Sequence, residues 1–350
     1  MTTPTRTPIR LTDPGELLAA VPHLLGFHPT NSVVLITLCG RTANRIGMAL
    51  RTDLPPPQDN LALAAQLRGP VLANRATGVC VAVIGGAEPA PGSTDPPCRD
   101  LVDAIEETLW RCGVPVAHAV WTPELRPGQH WRCYDDPRCH GVLADPTGSV
   151  LAAATVAAGV VTYGSRQEVA AQLSGVDEQV LVKRAAMLDE AAGRAERPGA
   201  ERAGSESRSA LADLELLRDA IREAAAGRLP HDDADIVRLA LALGDHRVRD
   251  ACLVCADQEE AAAAQRLWTE LTRGTPAPER AEPACLLAFA AYREGNGALA
   301  GVALEAAEQA DPGHQLSWIL REVLDLGVPP SRLSDVAEIA AAEAAELLSE

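Results

Sequence analysis

The 350-residue sequence predicts two parts: a three-layer α/β domain over 1–175, with a mixed, mainly parallel sheet edged by a hairpin, and an all-α, partly tetratricopeptide-like domain over 176–350. Three observations carry that expectation. Short apolar runs rich in Val and Ile alternate with helical periodicities up to about residue 175, the pattern of strands joined by helices. Beyond Asp177 every periodicity is helical. Charge divides at the same place: residues 1–175 hold 13 basic and 15 acidic side chains, while 176–350 hold 18 and 33, so the second part carries −15 of the net −17.

The elements follow in order. After the start signal Asp13-Pro14, the residues Leu17, Leu18, Val21, Leu24 and Leu25 recur at helical spacing. Gly26-Phe27-His28-Pro29 reads as a turn into a strand over 32–38, whose continuous apolar run fits burial on both faces. A polar segment at 40–44 makes a hairpin to a strand at 45–51. Past Pro55-Pro56-Pro57, 60–75 is helical, and Gly69-Pro70 is expected to bend or divide it. A strand at 78–84 ends in Gly85-Gly86, and 87–97 is a loop. A helix at 99–112 turns Leu101, Ile105 and Leu109 to one side, and strands follow at 114–122 and 130–134. Helices at 150–158 and 165–173 close this part, the second with Ser165 and Glu168 spaced as a capping box.

In the second part helices are expected at 178–195, 208–227, 232–244, 247–256, 258–272, 283–293, 297–310, 315–326 and 332–348, with 196–207 (ERPGAERAGSES) a linker. A 34-residue helix-turn-helix template laid on 281–314 puts Leu287, Ala288, Ala300, Leu304, Ala307 and Pro312 at its packing positions. Ala284 and Ala291 stand where it wants aromatic residues, and neighbouring registers fit poorly. The reading is a single tetratricopeptide-like hairpin inside a helical bundle.

Composition excludes several functions. An acidic half of this strength repels phosphate backbones and anionic lipid, so no nucleic-acid partner is expected. No signal-type apolar segment opens the sequence and no run of about 18 apolar residues occurs, so a cytoplasmic protein without a membrane partner is expected. One lysine, Lys183, stands against thirty arginines, and aromatics reach 3%, a bias of the kind a GC-rich genome imposes. The nine cysteines are odd in number and several lie in apolar runs, which reads as reduced core thiols for most of them.

Candidate chemistry is confined to the first part. His28, Asn31 and Ser32, with Arg51 and Asp53 from the neighbouring strand end, compose an acid–base or nucleophilic set if the fold gathers them. The objection is positional: His28 leads into the start of a strand, whereas ligand groups on open α/β sheets lie beyond carboxyl ends. The competing reading has His28 and Asn31 hydrogen-bonding a tight turn, Ser32 starting the strand and Arg51 pairing with Asp53. Cys133, Cys139 and His140, with His130 nearby, are candidate metal ligands within eleven residues. Their C-x5-C spacing lacks a second close pair, so they are read as thiols without a metal role. Cys252-x-x-Cys255 falls within a helix and reads as packing. Gly85-Gly86 makes a plain loop and no phosphate cradle. Trp110, Trp121, Trp131 and Tyr134 are read mainly as core.

Several segments resemble a known family: the run PHLLGFHPTNSVVLITL within 11–38, Arg51-Thr52-Asp53-Leu54-Pro55, 131–141, Ala157-Ala158-Gly159 with Ser165-Arg166, and 288–330 with its GNGALA and DPGH stretches. The family is an actinobacterial one catalogued as domain of unknown function 4192, and FHP-x-x-S is the specific element. The resemblance covers nearly the whole chain. Where the family shows adjacent cysteines followed by proline, this chain has Cys139-His140-Gly141. The resemblance implies no activity and names no cofactor. Two functions are therefore expected in competition. One is an interaction or regulatory module whose acidic helical half meets a protein partner. The other is a small-molecule or nucleotide-binding enzyme working from the α/β half.

Overall fold

A computed structural model of the chain describes residues 13–40, 45–87, 95–157, 161–174, 176–195, 204–253, 260–333, 335, 338–340 and 342. The chain divides into two compact units, Met1–Arg166 and Gln167–Glu350.

In the first unit α1 (Pro14–Leu25) starts where the Asp13 carboxylate accepts the Glu16 N–H at 3.0 Å. It stops at Gly26, whose left-handed backbone donates to the Pro22 carbonyl at 2.8 Å. Six strands follow: β1 (Ser32–Cys39), β2 (Arg45–Asp53), β3 (Gly78–Ile84), β4 (Val116–Thr122), β5 (His130–Cys133) and β6 (His140–Val142). They form one sheet in the order β2-β1-β3-β4-β5-β6.

Two expectations about this sheet are corrected. It is mixed but mainly antiparallel, because among the described residues only β3 and β4 of these strands pair in parallel. The helical crossovers do join parallel strands, β2 to β3 and β3 to β4. However, β1 lies between β2 and β3 and runs against both, so its hairpin partner is an edge strand while β1 itself is internal. The second correction is β6, a three-residue strand that no periodicity announces, paired in a hairpin with β5.

Alternation along the central strands builds two cores. Val33, Leu35, Val79, Val81, Val83, Ala119 and Trp121 pack with α2 (Asn60–Ala73) and α3 (Arg99–Trp110) on one face. Val34, Ile36, Ala82, Ile84 and Val120 pack with Leu17, Leu18 and Val21 of α1 on the other. The three layers follow, and α4 (Val150–Ala157) packs beside α1. The helix α2 runs through Pro70 without dividing. The preceding Gly69 has no Cβ to meet the proline ring and faces open space. Trp121, Trp131 and Tyr134 are buried, but Trp110 is 73% exposed because it ends α3 off the face carrying Leu101, Ile105 and Leu109.

The helical unit contains α6 (Glu178–Ala195), α7 (Gly204–Ala225), α8 (Asp233–Leu243), α9 (His246–Cys252), α10 (Ala261–Gly274), α11 (Ala281–Arg293), α12 (Gly297–Ala310) and α13 (Gln315–Asp325), after the short α5 (Arg166–Ala171). No strand occurs among its described residues. Asp232, Asp245, Asn296 and His314 cap α8, α9, α12 and α13 through their side chains. Each of α10 to α13 packs on the next, and α11 is buried nearly all round because its alanines allow close approach on every side. Leu287, Ala288, Ala300, Leu304 and Ala307 are all buried in the α11–α12 hairpin. The expected linker falls largely outside the described residues, with α7 beginning at Gly204, and so does Cys255. No helix among the described residues is long and apolar enough to cross a membrane.

Candidate functional site

Because β1 runs against β2, β3 and β4, its beginning lies at their carboxyl ends. Ser32 stands opposite Asp53 on one side and Ile84 on the other, and Ile84 pairs with Thr122. Asn31, Ser32, Arg51, Asp53 and Gly85-Gly86 therefore meet at the edge where open sheets place ligands. The positional objection raised from sequence is removed by topology.

The polar groups gathered there are committed to one another. The fully buried Ser32 hydroxyl donates to the Thr30 carbonyl at 2.6 Å and accepts from Arg51 Nε at 2.8 Å. Arg51 Nη2 donates to Asp53 Oδ1 at 2.5 Å. Asn31 holds a left-handed backbone (φ 43°), accepts the Leu54 N–H on its carbonyl at 2.9 Å, and accepts the Gly86 N–H on its side-chain oxygen at 3.3 Å. Gly85 is obligatory, since its φ is +87° and a Cβ would stand 2.5 Å from Asn31 Oδ1. The Ser32 oxygen is thus held by a guanidinium on one side and a carbonyl on the other, in a residue sealed from solvent. His28 is placed by its backbone N–H on the Tyr163 carbonyl at 3.0 Å, beside the Phe27–Tyr163 bridge. Cys98 occupies the N-cap of α3, a position that activates thiols in reactive sites. Burial wins here and raises its pKa.

A second group assembles on the α1 side of the sheet. Cys133 ends β5 and Cys139 precedes β6, and the hairpin turn joins them as a disulfide with Cα atoms 5.5 Å apart. The Cys133 N–H donates to the Cys139 carbonyl and the Cys139 N–H to the Asp136 carbonyl, each at 2.9 Å. His118 of β4 brings Nε2 to 3.2 Å from Cys133 Sγ and 3.8 Å from Cys139 Sγ. Among the described residues these three form the group whose ligand atoms all lie within 4.8 Å of one another. Burial holds the His118 imidazole below its usual range, with the Asp135 charge opposing.

The sequence candidates are thus corrected in one member. His140 pairs with Arg132 across the hairpin and is exposed, and alternation sends it to the face opposite Cys139. His130 is exposed opposite Val142. The histidine that reaches the sulfurs is His118, missed because only the register Val120–Cys133 brings β4 alongside.

In the helical unit a groove of about 320 Å³ opens between α7 and α8. Leu216, Ala220, Leu229, Pro230 and Leu239 give it apolar walls, and Asp219, Glu223, Asp235, Arg228 and Arg238 surround them. Arg228 pairs with Glu223, which it holds below the usual carboxylate range.

A mixed-sheet α/β unit and a helical unit on one chain, with cysteine and histidine clustered on the first and an apolar groove in the second, define a two-unit protein. The chain belongs to the family described as Domain of unknown function (DUF4192), whose model matches residues 14–331 and so spans both units. No curated protein and no solved structure matches it.

Proposed function

We propose that this protein is an interaction module whose helical unit takes an apolar anchor, flanked by basic residues, from a protein partner. The observation that carries the reading is the α7–α8 groove. Its volume of about 320 Å³ suits one large apolar side chain, and its rim is charged. The net charge of −15 over 176–350 favours a basic partner and speeds its approach. The packing of each of α10 to α12 on the next, and of α11 on α13, supports a tetratricopeptide-like reading of the α11–α12 hairpin, since stacked helix pairs build extended binding surfaces. Ser32, Arg51 and Asp53 hydrogen-bond within their own network, which favours this reading over the enzymatic one.

Selection of a displayed peptide library on the full chain tests the reading. Enriched peptides should carry one aromatic or branched apolar residue with Arg or Lys on either side. Ala220→Arg, which fills the groove with a good helix former, should weaken them at least about tenfold. Peptides that bind the substituted protein as tightly, or a selection without enrichment, would remove the proposal.

A further inference from the structure

We propose that His118, Cys133 and Cys139 bind a zinc ion in the reduced protein. Three donors from separate places in the sequence, the middle of β4 and the two arms of the β5–β6 hairpin, converge on one face of the sheet. The imidazole Nε2 faces both sulfurs, at 3.2 and 3.8 Å. Those distances bracket the roughly 3.5 Å separating an imidazole nitrogen and a thiolate on a common tetrahedral ion, with bonds of about 2.0 and 2.3 Å. A disulfide has no proton to offer that nitrogen, whereas two thiolates and an imidazole are a donor set of the softness that selects zinc.

The rest of the chain supports the reduced state. Among the described residues Cys39, Cys80, Cys98, Cys112 and Cys285 form no disulfide. Five such thiols suit a reducing environment, in which cross-links open and thiol pairs near histidine are read as metal ligands. The cross-strand hydrogen bond from Cys133 to the Cys139 carbonyl pre-sets the two sulfur-bearing residues, so little backbone ordering is left to metal binding. Three protein ligands leave a fourth position, and His118 and Cys139 are only partly buried, so that position takes a water from solvent. Metal binding releases the two thiol protons to solvent and oxidises nothing.

The test uses the full chain, purified with reductant and without chelator. Elemental analysis should find about one zinc per chain, and zinc-edge X-ray absorption should find two sulfur and two nitrogen or oxygen neighbours, the coordination of a three-ligand site plus water. His118→Asn and Cys139→Ser should each lower zinc content at least tenfold, while His140→Asn retains it. A ligand variant that unfolds is caught by circular dichroism. Cobalt added to the reduced, metal-free, unsubstituted protein then decides the matter, with a thiolate-to-cobalt charge-transfer band and strong tetrahedral visible bands expected. Absence of both zinc and the cobalt bands overturns the proposal, as does a Cys133–Cys139 cross-link that persists in reductant. Undiminished zinc in folded His118→Asn and Cys139→Ser proteins also overturns it.

Discussion

Glu282 gives the helical unit a partly buried, acid-sensitive side chain. Its Oε2 lies 3.1 Å from Arg249 Nη1 and 3.2 Å from His314 Nε2. His314 is itself fixed, because its Nδ1 accepts the Ser317 N–H at 3.2 Å and so caps α13. Burial by itself pushes the Glu282 carboxyl up, but His314 and Arg249 outweigh it and hold the group below the usual carboxylate range. The sign follows. On acidification the unfolded chain takes up the proton first, near pH 4.3, so the contribution is present above that pH and is lost as pH falls through the lower folded value. Glu282→Gln should therefore cost about 2 kcal/mol at neutral pH, the scale of a charged hydrogen bond. The deficit should shrink once the native carboxyl is protonated. Urea midpoints of helical ellipticity followed from neutral pH downward measure both. A deficit that stays constant while the native protein takes up protons would assign the loss to packing.

At the scale of elements, Arg184 joins three helices that sequence patterning treats separately. From α6 its Nε donates to Asp233 at the start of α8, and its Nη1 donates to the Gly274 carbonyl at the end of α10, both at 2.8 Å. The side chain is buried, and a Cβ at Gly274 would stand 2.7 Å from Nη1. Arg184→Leu should destabilise the unit by about 2 kcal/mol, because the Gly274 carbonyl is left dry and Asp233 keeps only Lys183. Arg184→Lys should not restore the loss, since one ammonium cannot span both acceptors. Thermal unfolding of the two variants decides it, and full recovery by lysine would show that charge alone matters. Such links mark where reading the sequence stops. The helices α8 and α9 are legible because their period and the caps Asp232 and Asp245 agree on where they begin. The strands β1 and β3 are legible from continuous burial. Beyond the β1–β2 hairpin, strand partners are not, since the insertion of β1 between β2 and β3 is decided by long-range pairing. The cluster on His118 inherits that blindness: its two cysteines are visible as a spacing, while the histidine arrives through register.

Across the whole molecule the dominant fact is the uneven charge, −2 over residues 1–175 and −15 over 176–350. Two electrostatic effects compete in the acidic part. Ion pairs such as Arg321–Glu308, Arg247–Asp245 and Arg249–Glu282 hold it together, and salt weakens them. Surface pairs contribute about 0–1 kcal/mol each, and the more buried ones are screened little. Opposing them is the mutual repulsion of the excess carboxylates, which is long-ranged and is cut off once the Debye length falls to about 10 Å near 0.1 M salt. With fifteen uncompensated charges the repulsion prevails. Raising sodium chloride from about 0.01 M to about 0.1 M, which shortens the Debye length from about 30 to about 10 Å, should therefore tighten the helical unit while leaving the nearly neutral α/β part unchanged. Hydrogen exchange resolved by peptide separates the two responses. Amides of α10, α11 and α12 should slow with salt, and those of β1 and β3 should not. Faster exchange in the helices would mean that the ion pairs outweigh the repulsion. Equal slowing in both parts would point to a general salt effect on apolar burial, in which the charge division plays no role.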